Sequence, residues 1–462
     1  MTAAGRLAEF ISDTVELPSA GREATFKAVF DLIAASIAGY TTRSAGAARK
    51  ATELCWGSGP AAIWFSGQKS TINGAAFANA ASACAQDLDD GHRAAAGHPG
   101  AAVIPAVLAH ADINRTAASR IATAIGIGYE VGIRISAARG ISKLATTDSG
   151  LWCGQGVAAA HGWLRGLAPR EIMHAIVIAG TTAPSQSATA YTQFMGNQVK
   201  EGIPWAVSNG MLAVELARAG FTGPIDMLDS AERYDQAILL DGLGTAWKVE
   251  TAYFKPYACC RWIHAALDAF YHIQSMHQIR PADIQSIEVE TFGRALTLNN
   301  EAEPKTLESA QYSIPFCIGV AGWLGPSAFL PLEEQVLTDP HVIALSRKVS
   351  ISTDPSLDKM FPTAVPARVR VRMAGDCFTQ EVLTPKGEPA NAMDWEDIEA
   401  KFSAVAAGRL TVPFQNELRE AIALLAAGDV KALLTALGMP AFTSSNASLS
   451  DAEHYPVGEY YS

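Results

Sequence analysis

The segment from about Glu23 to Gly220 has helical periodicity, and most of its predicted helices carry alanine or glycine on both faces. Phe26, Val29 and Ile33, for example, fall on one face of a 3.6-residue repeat. Because small residues let helices approach closely, the pattern predicts a dense bundle with some helices buried all round. The 462-residue chain is 49% hydrophobic and 18% charged, so it can bury a core of that size.

The periodicity changes near Pro256. Apolar and charged residues alternate over Ile287–Thr291 and again over Arg368–Met373, which predicts two strands with one solvated face each. The sequence "AGD" at Ala374–Asp376 predicts a hairpin turn into a further strand. Asp394 is the predicted N-cap of the helix that closes this region.

Helical periodicity returns between Asn416 and Leu437. The chain is therefore predicted to be mainly α, with a large all-helical domain and an inserted smaller α+β lid domain. The helical domain would comprise residues 1–255 and 403–445, and the lid would comprise residues 256–402. The polar segment 446–462 is predicted to be a loosely ordered tail.

The charge balance excludes several classes of function. The net charge of -11 and the absence of a Lys/Arg stripe disfavour binding to nucleic acid or to an anionic membrane. No apolar run reaches the roughly 18 residues of a membrane span, and the first residues lack a signal-peptide layout. Cys55, Cys84, Cys153 and Cys317 lie in apolar segments, as reduced core thiols do. We therefore expect a cytoplasmic protein.

Ionisable residues concentrate in "DLDDGHRAAAGHPG", Asp87–Gly100, between two apolar segments. One interpretation is a solvated loop with helix caps, and the other is the polar floor of a buried pocket. Carboxylates with imidazole suit Mg, Mn or Zn, but no second cluster completes a site. Gly91 stands where a calcium loop needs its fifth-position ligand. We expect no bound metal.

Two further clusters contain cations. Lys200 lies in "GNQVKEG" and is either a solvated loop lysine or a clamp for an anionic group. Lys255, Arg261 and His264 lie in "FKPYACCRWIHAALDAF", where the periodicity changes, and clefts between domains are favoured binding sites. A helix would place Arg261 and His264 on one face.

These stretches together resemble the MmgE/PrpD family over most of the chain. The resemblance is carried by the Asp87–Pro99 motif, "VIPAVLA" at Val103–Ala109, the loop at Lys200, "KPYACCRWIH" at Lys255–His264 and the late segment Pro385–Phe402. It implies a homodimer whose helical domain is capped by an α+β lid, a site between the two domains, and no cofactor. The family includes 2-methylcitrate dehydratase, cis-aconitate decarboxylase and iminodisuccinate epimerase.

The resemblance also implies roles for single residues. The family's motif acid, motif histidine and loop lysine fall on Asp87, His98 and Lys200, which are the predicted catalytic residues. The predicted substrate-binding residues are Lys255, Arg261, His264, Gly91, Trp152 and Cys260.

Three positions depart from the family pattern. Trp152 and Cys260 stand where some members carry histidine, and Phe316 stands where a tyrosine is expected, with Tyr312 one turn earlier. Indole and phenyl rings cannot protonate a leaving group. Epimerisation has no leaving group, so these departures favour an isomerase of the iminodisuccinate epimerase type.

The chemistry expected is removal of a proton next to a carboxylate of a di- or tricarboxylic acid. His98 would act as the base, and the cations would hold the developing charge. Two alternatives stay open. One is a lyase resembling the dehydratase or the decarboxylase, and the other is a metal-dependent helical enzyme that uses the Asp87–Asp90 cluster. A binding protein without turnover is a further class.

Overall fold

The computed structural model of the protein describes residues 1–114, 116–184 and 197–442, so the predicted tail lies outside the described residues. The fold is mainly α, as predicted, and it contains two small sheets. The helices of the first half are α1 (Ala3–Asp13), α2 (Ser19–Gly39), α3 (Arg43–Trp56), α4 (Ile72–Cys84), α5 (Gly100–Asn114), α6 (Ala118–Ala137), α7 (Gly150–Leu164), α8 (Pro169–Thr181) and α9 (Ile203–Arg218). A two-stranded ribbon of β1 (Ala61–Ala62) and β2 (Lys69–Ser70), which the sequence did not predict, precedes α4.

The helix α7 lies at the centre of this half and packs against α5, α6, α8 and α9. Its small residues allow close approach, as the sequence predicted. A Cβ added to Gly156 would lie 2.6 Å from the carbonyl oxygen of Gly128 on α6. A Cβ added to Gly210 on α9 would lie 2.4 Å from the carbonyl oxygen of Gly154. Larger side chains at these positions would push the helices apart.

The second half contains the larger sheet. Its elements are α10 (Gln236–Leu240), α11 (His264–His277), β3 (Ser286–Thr291), α12 (Leu307–Ala310), α13 (Ile314–Leu324), α14 (Pro340–Ser346), β4 (Val349–Thr353), α15 (Pro355–Asp358), β5 (Ala367–Arg372), β6 (Cys377–Val382), α16 (Trp395–Ala406), α17 (Val412–Ala426) and α18 (Lys431–Gly438). The strand order is β4-β3-β5-β6, with β3 parallel to β4 and the other pairs antiparallel. The predicted turn joins β5 to β6, and Met373 donates its N–H to the Asp376 carbonyl at 2.9 Å.

The alternation along the strands separates a buried face from a solvated one. Ile287, Val289, Val369 and Val371 are fully buried, and α11 packs against β5 and β6. The other face carries glutamates on β3 opposite arginines on β5. The predicted strands are thus confirmed with their predicted faces.

The last helices pack on the first ones. Asp394 caps α16 as predicted, and Phe402 of α16 packs on Phe30 of α2 with ring centroids 4.9 Å apart. The N–H of Phe65 donates to the carbonyl of Leu437 in α18 at 2.7 Å. The predicted boundary at residue 402 falls inside α16.

One cysteine differs from the prediction. Cys84, Cys153 and Cys317 are buried free thiols, whereas Cys55 is exposed near the end of α3. That helix is buried on one side only, so its apolar residues do not all reach the core. None of the helices in the described ranges is long and apolar enough to cross a membrane.

Candidate active site

The segment Asp87–Gly100 connects α4 to α5 and folds back on itself. Gly91 pairs with Tyr253 through two backbone hydrogen bonds of 3.0 and 2.8 Å, and His92 pairs with Gly97. These bridges hold the connection inside the protein. The exposed fraction is 2% for Asp87, and His98 is also buried, so the solvated-loop interpretation is wrong.

His98 lies among three carboxylates. Its Nδ1 is 3.0 Å from Asp89 Oδ2, while its Nε2 is 3.7 Å from Asp87 Oδ1 and 3.8 Å from Glu201 Oε1. Burial and the charge of Lys255 lower the pKa of His98, but Asp89 and Glu201 outweigh them, and the pKa is raised above its ordinary value. The neighbouring carboxylates thus stabilise the protonated imidazole relative to its neutral form, and Nε2 lies on the side away from Asp89.

Asp87 is held between two lysines. The Asp87 Oδ1 atom lies 3.3 Å from Lys255 Nζ and 3.5 Å from Lys200 Nζ. Burial alone would raise the pKa of Asp87, but the two ammonium groups hold it well below its usual range. The pKa of Lys255 is raised, because the attraction of Asp87 outweighs the effect of burial. Asp87 and Lys255 are therefore both charged at neutral pH.

The loop lysine reaches this cluster through strained backbone. Lys200 and Glu201 have φ of 47° and 59°, and Asp87 has φ of 50°. Non-glycine residues adopt this left-handed region rarely, and such strain collects at functional sites. Lys200 is buried and donates to Gln311 Oε1 at 2.9 Å, so it is not a solvated loop lysine.

Glu201 connects the lysine loop to His98. Its Oε2 accepts hydrogen bonds from the backbone N–H of Ser149 at 3.0 Å and from the Ser149 hydroxyl at 2.6 Å. The Ser149 Oγ in turn accepts the backbone N–H of His98 at 2.9 Å. This chain of contacts fixes the position of His98 relative to Glu201.

The remaining ionisable residues of the connection have structural partners. Asp90 accepts from the Tyr129 hydroxyl at 2.7 Å and from the N–H of Gly100 at 3.0 Å, and burial raises the pKa of Asp90 to about 7. His92 accepts from the N–H of Ala94 and lies 2.9 Å from Thr251 Oγ1. Burial, with Lys248, lowers the pKa of His92 to about 3.

Arg261 and His264 form a hydrogen bond with each other. Arg261 Nη1 lies 3.0 Å from His264 Nδ1, and His264 Nε2 lies 3.2 Å from the Cys259 carbonyl. Burial and the charge of Arg261 lower the pKa of His264 well below its ordinary value. His264 is therefore neutral and engaged at both ring nitrogens.

A narrow cavity adjoins His98. Its lining within the described part of the chain is Arg93, Ala96, His98, Thr147, Glu201, Tyr253, Cys260, Arg261, Trp262 and Leu298. Of the predicted site residues, His98, Cys260 and Arg261 line this cavity. Asp87, Lys200 and Lys255 do not line it and lie on the Nε2 side of His98. Burial and Asp87 raise the pKa of Cys260 to about 12, so its thiol stays protonated.

Four of the six predicted substrate-binding residues do not line the cavity: Lys255, His264, Trp152 and Gly91. Trp152 packs on α6, where a Cβ added to Gly132 would lie 3.2 Å from its ring. Gly91 leaves room for Tyr253, because a Cβ there would lie 2.3 Å from the Tyr253 ring.

One group of side chains could offer metal ligands. Single atoms of Asp87, Asp89 and His98 lie within 4.8 Å of one another. The two ammonium groups beside Asp87 already balance its charge and would repel a divalent cation.

Comparison with known protein families assigns the chain to one of them. The MmgE/PrpD N-terminal domain model matches residues 5–242, and the MmgE/PrpD C-terminal domain model matches residues 257–426. The chain belongs to the MmgE/PrpD family.

Curated members of the family are similar to it over much of its length. Cis-aconitate decarboxylase of Aspergillus terreus is 27% identical over 414 residues, which cover 81% of this chain and 83% of the relative. The cis-aconitate decarboxylase-like protein oryM of Aspergillus oryzae is 27% identical over 225 residues, covering 43% of this chain and 46% of that protein.

These relatives overturn the predicted isomerase class, since both named activities are those of a lyase. The prediction relied on the loss of proton donors at Trp152 and Phe316. Trp152 lies outside the cavity lining and Phe316 is a buried residue of α13. Other groups that can carry a proton, including His98 and Cys260, line the cavity of this MmgE/PrpD protein instead.

Sequence reasoning missed several residues that build the site. Glu201 follows Lys200 directly, and an acid placed between a lysine and a glycine was the available signal. Ser149, Gln311 and Glu388 had no such signal, because their partners lie more than 50 residues away.

Proposed function

We propose that this MmgE/PrpD protein is a cofactor-independent lyase that acts on a di- or tricarboxylate, with decarboxylation of a cis-aconitate-type acid as its reaction. The observation that carries the proposal is the position of His98, whose Nδ1 lies 3.0 Å from Asp89 Oδ2 and which lines the cavity. A proton donor at a carbon is what a decarboxylase requires after carbon dioxide leaves.

In the proposed step, the bond between the substrate carbon and the departing carboxylate breaks. Its electron pair stays on the substrate, and carbon dioxide leaves. His98 Nε2–H delivers a proton to the substrate anion, and the imidazole regains a proton from water. Asp89 holds the ring by its Nδ1 side throughout.

Positive charge near the reacting carbons stabilises the anion that forms. Lys200 and Lys255 lie on the Nε2 side of His98, where both contact Asp87 Oδ1, and Asp87 holds the two side chains in position. Asp87, His98 and Lys200 are the proposed catalytic residues. Lys255 and Cys260 are proposed to contact substrate, while Gly91, Trp152, Arg261 and His264 position the groups around them.

Three further proposals concern assembly and location. Residues 256–402 would act as a lid, which is supported by a cavity lined from both sides of residue 255. The protein would be a homodimer in the cytoplasm, as the family resemblance implies.

The experiment is incubation of the purified protein with cis-aconitate in buffered deuterium oxide, with and without excess EDTA. We expect carbon dioxide release, one deuterium in the product by mass spectrometry, and the same rate with EDTA. His110→Asn, a change at a buried histidine of α5 outside the cavity, is the control. Absence of turnover on cis-aconitate and on a panel of di- and tricarboxylates would overturn the proposed function.

A further inference from the structure

Arg93 borders two cavities. It lines the narrow cavity beside His98, and it also lines a larger outer cavity that opens to the surface. The described residues around the outer cavity are His92, Arg93, Ala94, Ala137, Gly140, Ile141, Ser142, Lys143, Ile238, Thr251, Pro362, Thr363 and Pro389. Arg93 therefore stands between the surface and the reaction site.

The position of Arg93 is built into the connection before α5. The Gly91–Tyr253 and His92–Gly97 bridges fix the chain on both sides of it. Its guanidinium carbon lies 5.2 Å from the centre of the Tyr253 ring, and the Arg261 guanidinium carbon lies 4.9 Å from the same centre. Two guanidinium groups thus share one aromatic ring, and both contact Glu388 Oε1.

The two arginines differ in how many donors they have left. Arg261 donates to Glu388 through Nε at 3.0 Å, to the Lys386 carbonyl through Nη1 at 2.8 Å, and to the Pro385 carbonyl through Nη2 at 3.3 Å. Arg93 contacts Glu388 through Nη2, and its buried Nε–H has no hydrogen-bond partner among the described residues. An unpaired buried donor of this kind is costly unless a ligand completes it.

Glu388 supplies a carboxylate where a substrate carboxylate would fit. Burial alone would raise its pKa, but Arg93 and Arg261 hold it below its ordinary value, so Glu388 is ionised. Planar carboxylate recognition by a guanidinium group uses two parallel N–H donors. Arg93 has its Nε–H available for that second bond, whereas Arg261 is already engaged through all three of its nitrogens.

We propose that Arg93 binds the substrate carboxylate farthest from the reacting carbon, and that Glu388 occupies this place until substrate arrives. This inference rests on the proposed function for the identity of the substrate. On binding, the substrate carboxylate takes Nε and Nη2 of Arg93, and Glu388 remains paired with Arg261. The exchange selects molecules that carry a carboxylate able to reach Arg93 while the reacting carbon lies beside His98.

The test measures binding apart from turnover. Isothermal titration calorimetry with tricarballylate, a saturated tricarboxylate, and with succinate is performed on the wild type, Arg93→Gln, Arg93→Lys and Glu388→Gln. Arg93→Gln should weaken tricarballylate binding about 10- to 100-fold, the scale of a lost charged contact. It should change succinate binding less than threefold. Arg93→Lys should recover only part of the loss, because an ammonium group lacks the planar fork.

Glu388→Gln should strengthen tricarballylate binding several-fold, because the competing carboxylate is gone. Lys143→Gln is the matched control, since Lys143 lines the outer cavity alone. On the true substrate, Arg93→Gln should raise KM with little change in kcat. Thermal unfolding checks the fold of each variant, and the Arg93 variants decide the proposal if Glu388→Gln does not fold.

The outcomes separate the two proposals. Equal tricarballylate affinity in the wild type and Arg93→Gln overturns the role of Arg93. A fall in kcat with constant KM would also overturn it. Wild-type protein that binds tricarballylate through Arg93 but turns over no acid would leave the inference standing and overturn the proposed function.

Discussion

The outer face of the sheet and the interior of the helical half carry the same kinds of charged side chain in different surroundings. On the sheet, Arg368 and Arg370 of β5 contact Glu290 and Glu288 of β3 at 2.8 and 2.5 Å. In the interior, the ion pairs include Asp31 with Lys401 and the Asp87 cluster. The sheet pairs are 2.5–2.8 Å long and the interior pairs 2.6–3.5 Å, but only the interior pairs are shielded from water.

The difference shows that burial, rather than pairing alone, decides how much an ion pair affects the stability of the protein. Exposed pairs contribute about 0–1 kcal/mol each, because water and salt compete for both partners. Removing one partner of a buried pair costs about 3–5 kcal/mol, because it strands a charge. Burial raises the pKa of Asp31 to about 6 even though Lys401 lies 2.6 Å away. The predictions below test this contrast.

The largest expected effect is on stability. Lys401→Met should lower the free energy of unfolding by about 3–5 kcal/mol, because it leaves Asp31 buried without its cation. Lys401→Met combined with Asp31→Leu should recover most of the loss. Denaturant unfolding monitored by circular dichroism gives both numbers. A loss under 1 kcal/mol in the single variant would show that burial is not the deciding factor here.

The next largest effect is on catalysis. His98→Asn and Lys200→Gln should each lower kcat about 100-fold or more, as loss of an acid–base or charge-stabilising group does. Steady-state kinetics on the true substrate measures this, with His110→Asn as the control. Both variants should unfold at nearly the wild-type temperature. If turnover stayed near wild type in both, the buried cluster would be structural, like the Asp31–Lys401 pair.

The pH dependence is expected to show a smaller effect. The folded-state pKa of His98 is raised, so the imidazolium persists above its ordinary range and activity falls as pH rises through that pKa. Asp89→Asn removes an attraction that raises this pKa. The falling limb of the kcat profile should therefore move to lower pH, by about one unit. The stability from the His98–Asp89 contact should likewise be complete at low pH and be lost as pH rises.

A limb that stays in place after Asp89→Asn would assign the titration to another group. Asp148→Asn is the matched control, because Asp148 is a buried acid next to the site. Burial and the charge of Glu201 raise the pKa of Asp148 to about 6. Its loss should leave the falling limb within a few tenths of a pH unit.

The smallest effect is expected on the sheet. Arg370→Gln should lower the free energy of unfolding by about 0–1 kcal/mol and leave kcat unchanged, because water replaces the lost contact with Glu288. Denaturant unfolding at low and high salt measures it, and the difference should shrink at high salt. A loss comparable to that of Lys401→Met would remove the contrast between the two regions.

Much of the fold was predictable because its signals are local. The alternation over Ile287–Thr291, the turn before β6 and the Asp394 cap each depend on a few neighbouring residues. The ribbon of β1 and β2 was not predictable in this way, since each strand has two residues and their pairing depends on α4 and α18 packing around them.

The candidate site divides in the same manner. Asp87, His98 and Lys200 belong to motifs that carry a recognisable pattern, and the fold brings them together. Gly91 belongs to the motif of Asp87 and Trp152 to a separate segment, and neither lines the described cavity beside His98, because a local pattern does not say which residues face a cavity. The isomerase prediction was wrong for that reason.

The sequence by itself determined the helical class, the two-faced strands, the acidic net charge and the residues that could perform chemistry. Only the tertiary structure decided which partners each of those residues has and therefore what role it can play. Asp87, Asp89 and Asp90 are adjacent in one motif, yet Asp87 faces two lysines, Asp89 holds His98 and Asp90 caps α5 beside Tyr129. Ionisation depends on burial and on charges within about 4 Å, and the chain supplies those neighbours from segments far apart in sequence.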